Sequence, residues 1–284
     1  MRVETHNKIK FCKIHSLGND FLVFDSLTQS VDISKLNVKK ISDRRLGVGF
    51  DQLLFIEPPH DPDIDFHLRI FNQDGTEVFQ CGNGLRCVGY YLFFKKLSFK
   101  KSNNISIGGS HYLVSCDRSS RSTVNLGFPV WEPERIPLVS SEFKKTYLLQ
   151  MEDKSTVMFS ALSFGNPHCV IVVNSVQNDF SNYIGEQVNN NSKFPSGVNV
   201  CFMEILDRRN IKLRFYERGV GETYSCGSGS CAAVAVGSLL ELVDDSVQVH
   251  LHHGYMRVTH KNGYLLSGPV QVVFSGYLYI KKDQ

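Results

Sequence analysis

No stretch of this 284-residue sequence approaches the ~18 consecutive apolar positions that a membrane helix needs. A membrane partner is therefore not expected. The opening Met1-Arg2-Val3-Glu4-Thr5-His6 lacks the apolar centre of a secretory leader, and strand-like sequence starts by Ile9, so a cytoplasmic location is the expectation. Charge of one sign is scarce: 31 basic against 28 acidic side chains leave +3, spread thinly. So small an excess excludes the basic stripe of a nucleic-acid binder, and Lys39-Lys40, Lys95-Lys96 and Lys144-Lys145 read as solvated faces. C-x-x-C pairs are missing. The nearest pairs among the eight cysteines, Cys81/Cys87 and Cys226/Cys231, are six and five positions apart, which suits no common structural zinc site. A chain this long builds a full core without disulfide staples, so reduced thiols and no metal are expected. There is no G-x-x-x-x-G-K-[ST] phosphate loop either.

What is present is a strand-rich chain whose size suggests two domains. Apolar or alternating runs fall at Lys8–Ile14, Phe21–Asp25, Gln52–Ile56 and Phe66–Phe71, bounded by turn formers such as Pro58-Pro59 and Asp74-Gly75. A helix is expected after Cys81, where Leu85, Val88 and Leu92 recur on one face. Pro129, Pro133 and Pro137 then mark a connector. Beyond it, strand-like runs at Val157–Phe164, Cys169–Val173, Val198–Ile205 and Ile211–Tyr216 lead to a second helix after Cys226, with Ala232, Ala235, Val236, Leu239 and Leu240 on one face. Strands, then Cys-Gly-x-Gly, then a helix thus occur once in each half. Two like domains facing each other would set two thiols across a central cleft, a common place for small ligands.

The two mouths are Cys81-Gly82-Asn83-Gly84 and Cys226-Gly227-Ser228-Gly229. Glycines leave the first N–H groups of each helix open to a ligand. Those groups and the positive end of the helix dipole suit a carboxylate. They also favour a thiolate, by up to ~2 kcal/mol, so both thiols are expected to have lowered pKa values. Glu217-Arg218 precedes Cys226; the Arg can clamp a carboxylate and the Glu can take an ammonium group, which describes a zwitterionic ligand. Inverting an amino-acid α-carbon needs a base on one face and an acid on the other. A thiolate and a thiol sharing one proton perform this without pyridoxal phosphate or another cofactor. Helix termini aimed at the carboxylate would stabilise the charge that develops.

Gly18-Asn19-Asp20-Phe21, the Asn72-to-Cys87 segment, Gly165-Asn166-Pro167-His168-Cys169, Gly197-Val198-Asn199 and Glu217-to-Cys231 together resemble the motif series of the diaminopimelate epimerases, in order, from about residue 9 onward. The resemblance implies an α+β fold of two pseudo-symmetric mixed α/β domains, each a curved sheet around a central helix, with the active site in the interdomain cleft. The domains would be 1–127 plus 270–284, carrying Cys81, and 128–269, carrying Cys226. It implies interconversion of LL- and meso-2,6-diaminopimelate, for lysine and peptidoglycan-precursor synthesis, by a homodimer. Carried over by position, Cys81 and Cys226 would be the proton donor and acceptor, with Glu217 and His168 as their partners or as ammonium binders. Gly82, Asn83, Gly227 and Ser228 would hold the reacting carboxylate. Asn19, Gln52, Asn72, Asn166, Asn199 and Arg218 would make the remaining substrate contacts. Ser16 stands where many members have glycine, which bears on that loop's backbone freedom, and Ser228 where threonine is common.

Plainer readings stand beside these. A lone cysteine is usually core, and Cys12, Cys87, Cys116, Cys169, Cys201 and Cys231 are read so. His168 alone would be a structural histidine, and Glu217-Arg218 alone a surface ion pair. Gly227-Ser228-Gly229-Ser230-Cys231-Ala232 formally fits G-x-G-x-x-A, a dinucleotide-binding signature. Against it, Gly219–Ser225 reads as a polar loop rather than a strand, and Val247–His252 lacks a terminal acidic residue for a ribose. A redox or metal module using Cys81/Cys87 and Cys226/Cys231, and a proline or hydroxyproline racemase with paired cysteines, are the other rivals.

Overall fold

In the computed structural model, which describes residues 6–177 and 181–281, the chain forms two compact units. One comprises Met1–Val124 with Pro269–Gln284, the other Asn125–Gly268.

The first unit starts with a hairpin. His6–Ser16 turns through Leu17 and Gly18, both at positive φ (51° and 91°), into Asn19–Asp25. Two consecutive left-handed residues give the turn a twist that matches its strands. His6–Ser16 also pairs antiparallel with Gln271–Lys281. Asn19–Asp25 then pairs parallel with Gln52–Glu57, and a parallel pair demands a crossover, here holding the short helix α1 (Val38–Ser42). Gln52–Glu57 returns antiparallel as Phe66–Asn72, followed by the two-residue strand Glu77–Val78 and the helix α2 (Gly82–Phe94). α2 is the crossover to Ser102–Ile107, parallel to Phe66–Asn72, and the meander Ser110–Cys116 and Arg121–Asn125 follows.

The second unit repeats this order. Thr156–Ser163 and Pro167–Val173 form the hairpin, with Tyr147–Gln150 on its outer edge. Asn199–Asp207 lies parallel to Pro167–Val173 across a crossover holding α3 (Ser181–Asn189). Asn210–Glu217 returns antiparallel, Gly221–Thr223 folds back on it, and α4 (Gly227–Leu239) crosses to the parallel strand Ser246–Leu251. Gly254–His260 and Tyr264–Pro269 complete the meander. Gly221–Thr223 corrects the reading of 219–225 as wholly loop. It is an antiparallel return of three residues, not the parallel strand that feeds a dinucleotide site.

In each unit the central strands are covered on both faces, which explains their unbroken apolar runs. Leu22, Phe24, Leu53 and Phe55 pack with Val38 and Ile41 of α1. Their neighbours point the other way, and Leu54 touches the backbone of α2 at Gly84. α4 differs from the one-sided helix expected of it: Gly227–Gly237 is buried on every side. An all-round apolar helix of small residues is what a helix enclosed by its own sheet requires. Among the described residues, no helix is long and apolar enough to cross a membrane.

Candidate active site

Cys81 and Cys226 are the N-caps of α2 and α4, both with extended backbone (φ −158°, ψ 104° and φ −123°, ψ 115°). The two caps are not equivalent. Cys81 is half-buried, and its Sγ accepts the N–H of Gly84 at 3.3 Å, as an N-cap acceptor does. Cys226 is buried at 6 % exposure, its Sγ 3.7 Å from Ser228 Oγ. Burial pushes its pKa well up, and the nearby Glu217 carboxylate and Cys201 add to this. The expected lowering at a helix N-terminus is thus overturned at Cys226. The N–H of Gly229 and the hydroxyl of Ser228 favour the thiolate, but desolvation and a neighbouring negative charge outweigh them.

Around Cys81 the sheet brings the amide side chains to one end. Asn19 begins its strand, Gln52 begins the next, and Asn72 ends the third, in register opposite Gln52. Gln52 Nε2 donates to Asn72 Oδ1 (3.0 Å), and Asn72 Nδ2 to Thr76 Oγ1 (3.1 Å). Asn83, the second residue of α2, donates to Asn19 Oδ1 (3.2 Å) and accepts from the buried Arg86 at 2.5 Å. Asn19 in turn donates to Asp51 Oδ2 (3.0 Å).

Asp51 belongs to an ionic cluster that sequence reasoning passed over. Asp20 receives both ends of the Arg44 guanidinium at 2.8 Å and the Lys13 ammonium at 2.5 Å, and Arg44 also reaches Asp51 at 2.9 Å. Burial opposes ionisation of Asp20, yet the hydrogen bonds from Arg44 and Lys13 win and hold its pKa at about 2. Asp51 moves the other way, raised by burial with the Asp20 charge adding to it. The residues come from segments 31 positions apart, joined by the parallel pairing that sets Phe21 opposite Gln52. Only the Gly18-Asn19-Asp20 turn hinted at them. Ser16, the unusual residue there, is buried and donates its hydroxyl to the Pro269 carbonyl at 2.9 Å.

The second unit places its residues at the corresponding strand ends. His168 sits opposite Asn199 in the parallel pair, and Glu217 ends the third strand. His168 is wholly buried, and burial lowers its pKa to about 3, so it is a neutral imidazole. Its Nε2 lies 3.0 Å from Asn166 Oδ1 and its Nδ1 3.9 Å from Cys201 Sγ. With the proton on Nε2 donating to Asn166, the histidine orients that amide. Glu217 Oε1 accepts the hydroxyl of Thr223 on the returning strand, a partner that sequence reasoning missed. Asn199 Oδ1 accepts the backbone N–H of Arg218 (3.0 Å), and the exposed Arg218 guanidinium donates to Ser196 O (2.9 Å). Gly197, at φ 70°, leaves room for the Arg218 chain: a Cβ there would lie 2.9 Å from Arg218 Cδ.

Of the cysteines read as core, Cys12, Cys87, Cys169, Cys201 and Cys231 are buried, whereas Cys116 is half-exposed at the end of its strand. Cys201 is more than filling. It faces α4, with Sγ 3.7 Å from Gly229 O, and it links His168 to the Cys226 end of that helix. Period-two alternation through 198–205 was the available signal, because it turns Cys201 away from Val200.

Two thiol-capped glycine-rich helices on repeated mixed sheets define a class of fold first. A hydroxyproline epimerase from Agrobacterium vitis matches it with a TM-score of 0.71 at 12% identity, covering 100% of this chain and 95% of that one. A probable proline racemase from Agrobacterium radiobacter K84 matches with a TM-score of 0.69 at 13% identity, covering 95% and 92%. At such identities the likeness is one of fold. The family follows from sequence: the diaminopimelate epimerase family model matches residues 11–132 and 160–273. A diaminopimelate epimerase of Blochmanniella pennsylvanica (strain BPEN) is 44% identical over 273 residues, covering 95% of this chain and 99% of that protein. The chain belongs to the diaminopimelate epimerase family.

Proposed function

We propose that the chain converts LL-2,6-diaminopimelate to meso-2,6-diaminopimelate in lysine biosynthesis, by proton transfer between Cys81 and Cys226 without pyridoxal phosphate. Family membership supports the substrate and the reaction. The observation that carries the mechanism is the matched pair of cysteine N-caps on α2 and α4, each at a strand end lined by amide or carboxylate side chains. The reaction requires the two sulfurs to meet opposite faces of one α-carbon.

The electrostatics assign resting roles. Cys226, its pKa raised by burial and by Glu217, is the thiol at rest, which leaves the role of base to its partner in the pair, Cys81. In that turnover Cys81 Sγ takes the α-proton, the carbanion's charge spreads into its carboxylate, and Cys226 Sγ–H delivers a proton to the opposite face. The turnover ends with the protonation states exchanged, so the reverse direction uses the reverse roles. The N–H groups of Gly82, Asn83, Gly227 and Ser228 hold the reacting carboxylate and stabilise its growing charge. Glu217 keeps Cys226 protonated and faces the ammonium group. Asn19, Gln52, Asn72, Asn166, Asn199 and Arg218 bind the distal amino-acid head, which a proline-sized substrate lacks, and His168 acts through Asn166. A cytoplasmic homodimer belongs to the same proposal, on the strength of the family resemblance.

The purified protein, reduced and given no cofactor, should convert LL-diaminopimelate in deuterium oxide into the meso isomer with the α-hydrogen exchanged for deuterium at the inverted carbon, while leaving proline unchanged. Absence of exchange from reduced protein would refute the assignment.

A further inference from the structure

The strand pair Gln52–Glu57 and Phe66–Asn72 runs in register from Gln52 opposite Asn72 to Glu57 opposite His67. Gln52 and Asn72 belong to the candidate active site. Glu57 and His67 occupy the other end, five residues along, which at roughly 3.4 Å per residue is about 17 Å away. Directly opposed residues project from the same face of a sheet, so the Glu57 carboxylate and the His67 ring lie side by side. A third side chain joins them. His60, in the proline-rich connection Pro58-Pro59-His60-Asp61-Pro62, brings its ring centroid to 5.1 Å from that of His67.

One ligand atom from each of Glu57, His60 and His67 lies within 4.8 Å of the other two. His67 Nδ1 is 2.8 Å from Ser106 Oγ on the neighbouring strand. With Nδ1–H donating to that hydroxyl, the ring is fixed in one tautomer and Nε2 keeps its lone pair. An outer hydrogen bond on the second ring nitrogen is the usual companion of a metal-ligating histidine. Two imidazoles and one carboxylate are a donor set for zinc-type ions rather than for calcium or magnesium, which prefer all-oxygen shells. Bonds of ~2.0–2.1 Å in a tetrahedral site set ligand atoms roughly 3.4 Å apart, so closure needs rotations of about 1 Å. His60 is exposed and on a loop, and is free to make that adjustment.

We infer that Glu57, His60 and His67 form a binding site for a divalent zinc-type ion, with water completing the coordination, separate from the catalytic thiols. Its effect is to tie the 58–65 connection to its strand. The bound ion would stabilise the far end of the same strand pair that presents Gln52 and Asn72.

The test uses full-length protein stripped of metal with a chelator, in a Cys81→Ala/Cys226→Ala background so that the catalytic thiols do not compete. Calorimetric titration with Zn²⁺ alone should give one equivalent bound at micromolar affinity. Adding His60→Ala, an exposed position whose loss leaves the fold intact, should weaken binding at least tenfold, as should Glu57→Gln. Thermal midpoints give an independent reading: saturating Zn²⁺ should raise that of the background protein and leave the His60→Ala form unmoved. Failure to bind Zn²⁺, or equal affinity with and without His60, overturns the site.

Discussion

Gly229, the third residue of α4, tests how closely packing holds the Cys226 mouth in place. A methyl group there would sit 2.8 Å from Phe215 Cε1 and 3.1 Å from Cys201 Sγ. Both neighbours are buried, at 2 % and 0 % exposure, so neither has space to retreat into. Overpacking of this kind costs about 1–3 kcal/mol. Alanine recovers about 0.8–1.0 kcal/mol of helix propensity over glycine. The net loss for Gly229→Ala is therefore near 1 kcal/mol, which lowers the thermal midpoint by about 2–4 °C. Part of the clash is relieved by lifting the first turn of α4, which carries the Gly227 and Ser228 N–H groups and Cys226. Because misplacement by 1 Å costs on the order of 100-fold in rate, a shift of a few tenths should lower kcat/KM by about four- to tenfold. Gly84→Ala is the control at the other mouth. Its methyl would meet the terminal Cδ2 of the buried Leu54 at 3.0 Å, and Cβ and Sγ of Cys81 at an ordinary 3.4 Å. With one flexible side-chain end to displace rather than a rigid ring, that variant should lose less stability and less activity than Gly229→Ala. Calorimetry and initial-rate kinetics on the pair decide the matter. A Gly229→Ala protein as stable and as active as Gly84→Ala would refute the packing argument.

Other outcomes follow from the buried charges and thiols. Asp20→Asn leaves Lys13 buried without its carboxylate, and urea unfolding should show a loss of about 3–5 kcal/mol. In the parent protein the Asp20 contribution is complete above the ordinary carboxylate pKa of 3.8 and disappears as pH falls toward about 2, so the variant should lack that acid limb. His168 titrates at about 3 when folded against 6.5 unfolded, so the unfolded chain takes up the proton first. Stability should fall by about 1.4 kcal/mol per pH unit as pH drops below 6.5, and His168→Asn should flatten that slope. An unchanged slope would show that His168 is not the buried neutral base. Thiols close enough to share one α-carbon should join on oxidation, and peptide mapping of inactive, oxidised protein should find Cys81 linked to Cys226; another linkage would count against facing sulfurs.

Much of this was readable from the chain, because local rules govern it. Unbroken apolar runs announced the central strands, and Cys-Gly-x-Gly before small or periodic apolar residues announced α2 and α4. α1 and α3 escaped notice. Val38–Ser42 is one turn with a polar exposed side, and Ser181–Asn189 is mostly polar, so neither carries a strong period. Tyr264–Pro269 ends in Ser-Gly-Pro, a turn-like signature, and it is the pairing of Tyr264 to Ser267 with Arg257 to His260 that makes a strand of its first part. At the site, the reacting thiols could be named from their setting, but their inequivalence could not. A helix dipole is visible in sequence; the burial of Cys226 and the nearness of Glu217 exist only once three strands and α4 have assembled. The Lys13–Asp20–Arg44–Asp51 cluster is hidden for the same reason, since the hairpin that carries Lys13 and Asp20 meets the Asp51 segment through a parallel pairing that no local pattern encodes.

The central claim is that one sulfur removes the proton and another delivers it. Early in the reaction in deuterium oxide, the isotope content of both isomers reports on this directly. Two bases predict deuterium at the inverted α-carbon of newly formed meso-diaminopimelate, with the remaining LL-diaminopimelate still carrying hydrogen there. Deuterium entering unreacted LL-diaminopimelate as fast as product forms, or product that retains the original hydrogen, would mean that a single group handles both faces and would contradict the account.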